Sequence, residues 1–293
     1  MIAFTMPNDP TSTPAPLVIK LGGAALEGDV DCSALWSAFA ALHRSEPGGV
    51  VLVHGGGTIV DKRLARLGMK SERKEGIRIT TPEQVAEVVA TLAGLVNTRV
   101  VGALQQAGAS AVGLTLTDGH LAAVVRSTRF SFDPGCVGEV IGGRPDVAET
   151  LLRAGFLPAI ASVGMGPCGQ LLNVNADEAA AGVAATLNAR ALILLTDVDG
   201  VKDASGALLE RIDADEVESL IEAGVIYNGM IPKVHGAVET ATVAGAPTVI
   251  ASWHDAANIA ALARGEGKGT WVVPSASEAR RRPGVAAASS LSL

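Results

Sequence analysis

Lys20 stands inside the apolar run Leu17-Val18-Ile19-Lys20-Leu21, directly before Gly22-Gly23. A strand buried on both faces does not carry a lone ammonium without a partner, because desolvating that charge is costly. At the carboxyl end of a strand in an open α/β sheet, the charge stands where such sheets bind ligands. Two glycines there let the backbone close on an anion. The competing reading is an edge-strand lysine that faces solvent. His54-Gly55-Gly56-Gly57 repeats the design: Val50-Val51-Leu52-Val53-His54 reads as a strand, and a helix begins near Thr58. The first amides of that helix would point at an anion, helped by the helix dipole. A flexible turn would need fewer glycines. His54 itself reads as a packing or hydrogen-bonding residue, not a catalyst.

Four further segments carry polar groups at the ends of apolar runs. Arg78, in Glu75-Gly76-Ile77-Arg78-Ile79-Thr80, offers a fork that can grip a carboxylate through two hydrogen bonds. A surface ion pair is the commoner fate of an arginine. In Asn173-Val174-Asn175-Ala176-Asp177, every second residue is polar, which places three of them on one side of an extended chain. Asp177 can orient a nearby lysine there, and simple N-capping suits Asn175 equally well. Thr196-Asp197-Val198-Asp199-Gly200 follows an apolar strand and reads either as the edge of a nucleotide cleft or as an Asp-Gly turn. Lys233 follows Pro232 in the first turn of a helix. A cation there opposes the macrodipole by about 0.3–1 kcal/mol, and an anionic ligand would reverse that penalty.

Two glycine-rich segments are decoys. Gly164-Met165-Gly166-Pro167-Cys168-Gly169 matches GxGxxG, but a strand follows it where a dinucleotide fingerprint needs a helix, so a hairpin is expected. Gly265 to Thr270 lacks the spacing of a phosphate-binding loop.

These residues need a scaffold, and the composition supplies one. The 293 residues are 48% hydrophobic, and a mean hydropathy of +0.35 gives ample material for a core. The 30 acidic residues against 23 basic ones leave a net charge of −7, which argues against a nucleic-acid partner. An aromatic content of 3% argues against base-stacking platforms. Cys32, Cys136 and Cys168 are far apart and show no zinc-ligand spacing; they read as free thiols in a reducing cytoplasm, and no metal ligand is assigned. No secretory signal pattern and no run of 18 apolar residues is visible, so neither a spanning helix nor a membrane partner is expected.

Short apolar runs at 17–21, 50–54, 111–116, 157–163, 191–197, 248–253 and 270–273 alternate with amphipathic stretches. The runs are continuous rather than alternating, as strands covered on both faces should be. Leu35, Trp36, Phe39 and Leu42 share one helical face. Thr81-Pro82-Glu83-Gln84 is a capping box that opens a long helix to about Gln106, and 176–187 is an alanine-rich helix. Asp118-Gly119 predicts a tight hairpin. The expected organisation is a loose leader (1–15), one domain (16–274) with lobes 16–178 and 179–274, and a disordered tail (275–293). Strands alternating with helices predict a mostly parallel sheet covered on both sides.

Taken in order, KLGG (20–23), HGGG (54–57), EGIRIT (75–80), NVNADEAA (173–180), LLTDVDGV (194–201) and NGMIPKV (228–234), with IASW near the end, resemble the amino acid kinase family. The resemblance runs from about Leu17 to Val273. It implies a three-layer α/β/α sandwich with an eight-stranded, mainly parallel sheet. It implies ATP, with Mg²⁺ held mainly by the phosphates, as co-substrate, and transfer of a phosphoryl group to the side-chain carboxylate of N-acetyl-L-glutamate in arginine biosynthesis. By analogy, Lys20 and Lys233 would neutralise the migrating group and Asp177 would position both. Gly56, Gly57, Arg78 and Asn173 would hold the acyl amino acid. Gly22, Gly23 and Gly56 would meet phosphate, and Asp197, Val198, Asp199, Gly200, Val201, Lys202, Val225, Ile226 and Tyr227 would border the nucleotide. A lysine-pathway relative acting on N-acetyl-aminoadipate and a non-catalytic binder on the same scaffold are the alternatives. A short Pro-rich leader and the ending GKGTWVV depart from the hexameric, arginine-inhibited branch, so the expectation is a cytoplasmic homodimer that arginine does not inhibit.

Overall fold

Each apolar run becomes a strand because neighbouring strands satisfy its backbone while helices cover both of its faces. This computed structural model describes residues 14–28, 30–226 and 231–274. The side chains of Gly23, Ala24, Pro232 and Lys233 fall outside that description, as do the tail and nearly all of the leader.

The strands in chain order are β1 (Leu17–Leu21), β2 (Val50–His54), β3 (Glu72–Lys74), β4 (Ile77–Ile79), β5 (Ala111–Thr115), β6 (Ala123–Arg126), β7 (Val137–Gly142), β8 (Leu157–Ala161), β9 (Val163–Met165), β10 (Leu171–Val174), β11 (Ala191–Thr196), β12 (Arg211–Asp213), β13 (Thr248–Ser252) and β14 (Thr270–Val273). The helices are α1 (Ser33–Ser45), α2 (Gly57–Arg66), α3 (Pro82–Val89), α4 (Asn97–Gln106), α5 (Asp146–Arg153), α6 (Ala176–Thr186), α7 (Val217–Glu222), α8 (Ile231–Ala244) and α9 (Asn258–Ala263).

The central sheet has eight strands in the order β12-β14-β13-β11-β1-β2-β8-β5. Every pairing in it is parallel except β13 with β14. The expected three-layer α/β/α sandwich is therefore present. A smaller sheet, β6-β7-β10-β9, and the hairpin β3-β4 flank it. Alternation along β1 separates the two cores. Leu17, Ile19 and Leu21 join the cluster containing Leu35, Phe39, Val88 and Leu104, whereas Val18 joins the one containing Ala180, Val183 and Val234. Lys20 has the parity of Val18, so its side chain points toward the layer that holds α6. Truncating a fully buried anchor such as Phe39 to alanine would cost about 3–5 kcal/mol.

Helix α6 is alanine-rich because it is covered on several sides. Ala179, Ala180, Ala181, Val183 and Ala184 are buried, and a Cβ at Gly182 would lie 2.5 Å from Val140 Cγ1. Small residues let β7 and α8 approach this helix closely.

The capping box forms, with the Thr81 amide donating to Gln84 Oε1 at 3.2 Å. The helix it opens is continuous from Pro82 to Gln106, with a π-helical segment, Ala90–Val96, joining α3 to α4. By length and composition this helix is apolar enough to cross a membrane, which corrects the sequence expectation. The run escapes notice in the sequence because Glu83, Glu87 and Arg99 punctuate it near its ends. Its inward residues Val88, Leu92, Val96, Val100 and Leu104 form part of the core against the sheet, which is how a core helix packs.

The Asp118-Gly119 hairpin does not form. The chain makes a 3₁₀ turn at Asp118–His120 and passes from β5 in the central sheet to β6 in the small one. The Asp118 carboxylate stays local, accepting from the Thr115 amide at 2.6 Å. By contrast, β9 and β10 do pair antiparallel across the 164–169 glycine segment, as expected of a hairpin.

Candidate active site

Three carboxyl-terminal strand ends converge beside the N-terminus of α6. Asn175 caps that helix, its Oδ1 accepting from the Asp177 amide at 2.8 Å and the Glu178 amide at 3.4 Å. The cap holds Asp177 in the first turn, where a carboxylate complements the helix dipole. Lys20 Nζ lies 2.9 Å from Asp177 Oδ1. The lysine side chain is 12% exposed and the aspartate 45%, so the pair sits at the wall of an open cleft. Its attraction to a ligand is less screened there than on an open surface. A Cβ at Gly22 would lie 2.8 Å from Lys20 Nζ, so the absence of that carbon makes room for the ammonium.

Two cavities meet at this point. The smaller, about 190 Å³, is lined by Lys20, Gly22, Gly55 to Gly57, Arg78, Asn173 and Asp177, with Leu92 and Ser162. The larger, about 800 Å³, is lined by Thr196, Asp197, Val198, Gly200, Val201 and Thr240 among others. Gly76, Ile77, Asn175 and Asp177 border both. One charged pair thus stands between a pocket sized for a small acid and one sized for a nucleotide.

The glycine loop closes the small cavity. Gly56 is the N-cap of α2 at φ +153°, and a Cβ there would lie 2.9 Å from Leu92 Cδ2, so only glycine is unstrained at this position. Arg78 is 6% exposed. Its Nη1 donates to Asp61 Oδ1 and Ser71 Oγ, and its Nη2 to the Gly57 carbonyl at 2.8 Å. Three of the five guanidinium donors are therefore occupied. The Nε–H and one Nη2–H have no partner among the described residues. Charge-assisted hydrogen bonds from a guanidinium are what a carboxylate accepts. Burial alone would raise the Asp61 carboxyl, but hydrogen bonds from Arg78 and Ser71 bring it down to about 2. Asn173 Nδ2 donates to the buried Thr80 hydroxyl at 3.1 Å, which holds the amide at the cavity wall.

The large cavity sorts the remaining sequence assignments. Asp197, Val198, Gly200 and Val201 line it, whereas Asp199 and Lys202 do not; Asp199 accepts from Lys268 Nζ at 2.8 Å instead. Trp253 Nε1 donates to Asp197 Oδ1 at 2.7 Å, which gives the IASW segment a place at the rim. Val225 and Ile226 lie outside both linings, and Ile226 is buried at 1% exposure. Tyr227 lies outside the described residues, as does the side chain of Lys233. The Lys233 backbone belongs to the first turn of α8, as expected. The Gly23 backbone belongs to a short 3₁₀ turn, Gly23–Leu26.

Sequence reasoning passes over several wall residues. Arg73 lines the small cavity and lies directly across the β3-β4 hairpin from Arg78. The Glu75-Gly76 turn between them is the signal that would have paired the two. Leu92 and Ser162 arrive from a core helix and a strand end and carry no signal of their own.

The chain belongs to the amino acid kinase family, whose model matches residues 15–252. It is 43% identical to an acetylglutamate kinase of Colwellia psychrerythraea over 259 residues, covering 88% of this chain and 97% of that protein. It is 42% identical to an acetylglutamate kinase of Vibrio parahaemolyticus, covering 89% and 97% of the two chains. The crystal structure of N-acetylglutamate synthase from Neisseria gonorrhoeae superposes with a TM-score of 0.73 at 23% identity, over 89% of this chain and 60% of that one, a likeness of fold alone.

Proposed function

We propose that this enzyme transfers the γ-phosphoryl group of MgATP to the side-chain carboxylate of N-acetyl-L-glutamate, giving N-acetyl-L-glutamyl 5-phosphate and ADP in arginine biosynthesis. The observation that carries the reading is the Lys20–Asp177 pair at the junction of the two cavities. Acetylglutamate kinases more than 40% identical over most of the chain support the choice of acceptor.

The acceptor carboxylate is already ionised near pH 7, so no general base is needed. A carboxylate oxygen forms the new bond to phosphorus while the bond to the bridging oxygen of ADP breaks. The catalyst must align two anions and screen their repulsion, which is the main demand of phosphoryl transfer. Lys20 supplies positive charge at the junction, and Lys233, in the first turn of α8, supplies the second cation. Asp177 positions both lysines. The Gly56 and Gly57 amides meet the migrating group or the acceptor, and Arg78 and Asn173 hold the acyl amino acid. Asp197, Val198, Gly200 and Val201 border the nucleotide. Residues 16–178 act as the acyl-substrate lobe and 179–274 as the nucleotide lobe.

Mg²⁺ enters with ATP as part of the substrate. One Asp177 oxygen pairs with Lys20 and one Asp197 oxygen with Trp253. As the family resemblance implies, the phosphates would be the ion's principal ligands. The enzyme acts in the cytoplasm as a homodimer; a hexamer in light scattering would contradict this.

An ATP-dependent hydroxylamine-trapping assay tests the reaction, because an acyl phosphate yields a hydroxamate. N-acetylglutamate should react fastest in a panel with N-acetyl-aminoadipate, glutamate, aspartate and carbamate. One methylene is worth about 10–200-fold in such a pocket. Faster turnover of N-acetyl-aminoadipate would reassign the substrate, and ATP binding without turnover of any acid would remove the kinase reading.

A further inference from the structure

His54 is fully buried at the end of β2, directly before the glycine loop. Its surroundings fix which ring nitrogen carries the proton. Asn97, the first residue of α4, is 6% exposed, and its Nδ2 lies 2.8 Å from the Ala159 carbonyl oxygen. A carbonyl can only accept, so the amide nitrogen must face it. The same Nδ2 lies 2.9 Å from His54 Nε2. Its second hydrogen therefore makes Nε2 an acceptor, and the ring proton sits on Nδ1. Nδ1 lies 2.9 Å from the Gly55 carbonyl oxygen, to which it donates. Burial lowers the imidazole pKa to about 4, with the Gly55 carbonyl only partly offsetting it, so this neutral tautomer persists at physiological pH.

The fold is built around Asn97. Gly113, in the middle of β5, has no turn to make, yet a Cβ there would lie 2.0 Å from Asn97 Oδ1. The missing side chain leaves the slot that Asn97 fills. The π-helical segment that ends at Val96 supplies the phase. Val96 and Asn97 are consecutive and both buried, at 1% and 6% exposure.

We infer that Asn97 and His54 are positioning residues of the phosphoryl-transfer site: Asn97 sets the His54 tautomer, and His54 pins the Gly55 carbonyl and so aims the Gly56 amide. In a trans peptide the carbonyl and the following N–H point in opposite directions. Tying the Gly55 oxygen to the buried ring turns the Gly56 N–H away from it. Gly56 lines the small cavity, and its N–H has no hydrogen-bond partner among the described residues. The two buried side chains touch neither cavity and act only through that peptide plane.

The role rests on the proposed transfer reaction, but its first readout does not. In ¹⁵N-resolved histidine spectra of the wild-type protein, His54 should carry its proton on Nδ1 alone; a proton on Nε2 overturns the inference whatever the enzyme phosphorylates. Asn97→Leu removes the donor, and Asn97→Asp offers only lone pairs when ionised. In each variant kcat should follow the Nδ1 proton, falling about tenfold or more where that proton is lost. KM for ATP should stay within about twofold of wild type, because Asn97 does not line the large cavity, whereas general damage to the fold would raise both KM values. Full kcat in a variant whose Nδ1 proton is gone, or an unchanged tautomer in Asn97→Leu, refutes the assignment.

Discussion

Replacing Gly22 by alanine moves the central cation without deleting it. Gly22 does not have the positive φ that favours glycine, so alanine suits the backbone there. The added carbon would lie 2.8 Å from Lys20 Nζ and 3.2 Å from Cε, against an ordinary contact of about 3.5–4.0 Å. The ammonium must retreat by about 0.8 Å. At an effective dielectric constant of about 20, widening a unit-charge contact from about 3.0 to about 3.8 Å lowers the attraction from about 5.5 to about 4.4 kcal/mol. That difference alone is about sevenfold in rate, and misalignment of about 1 Å can cost about 10²-fold. We therefore expect kcat for Gly22→Ala to fall about 10- to 100-fold in the hydroxylamine assay. The melting temperature should change little, because the lysine end is flexible and Asp177 is 45% exposed and stays hydrated. Lys20→Met sets the lower bound, with a loss of roughly 10²–10³, by analogy with removal of one oxyanion donor. A Gly22→Ala enzyme with kcat within twofold of wild type would show that the position of this ammonium does not matter, and the electrostatic account would fail.

Three other outcomes are expected. Lys233→Met should lower kcat by roughly 10²–10³; near wild-type turnover would remove that lysine from the mechanism. Arg78→Lys should raise KM for the acyl substrate more than it lowers kcat, because lysine is a single point charge without the planar guanidinium's spread of donors; a loss confined to kcat would refute a binding role. Glu178, 14% exposed in its side chain, has a pKa raised to about 7, first by burial and further by Glu139 and Glu239, with Arg129 opposing. An unfolded glutamate titrates near about 4.3, so the folded state binds the extra proton between about pH 4.3 and about 7, and this residue's contribution to stability falls as pH rises through that window. The groups facing it are Arg129, Glu139 and Glu239, with the Val140 amide. Thermal midpoints from pH 5 to pH 8 should decline less in Glu178→Gln than in wild type, and parallel slopes would exclude the carboxyl as the source.

Much of the site was legible where a local signal coincided with a functional one. Lys20 is conspicuous because an ammonium in an apolar strand needs a partner, and the structure supplies Asp177. The loop after His54 is conspicuous because consecutive glycines serve close approach, and Gly56 meets both Leu92 and the cavity. Asp118-Gly119 misled because turn residues report a change of direction, not which strands pair afterward. Asp199 resembled its neighbours along the chain, yet it turns to Lys268, a contact across 69 residues that no local pattern encodes.

Residue order and hydropathy were enough to establish the layered α/β architecture, most strand positions, the capped helix and the polar ends that face the cleft. These depend on backbone periodicity and short-range capping, which act over a few residues. Only packing in three dimensions decided that Lys20 and Asp177 meet, that Arg78 is anchored by Asp61 and Gly57, and that Asn97 reaches His54 through the slot at Gly113. Those outcomes depend on register, helix phase and steric exclusion between distant segments. They arise when strands pair and helices settle against them, which a linear reading does not contain.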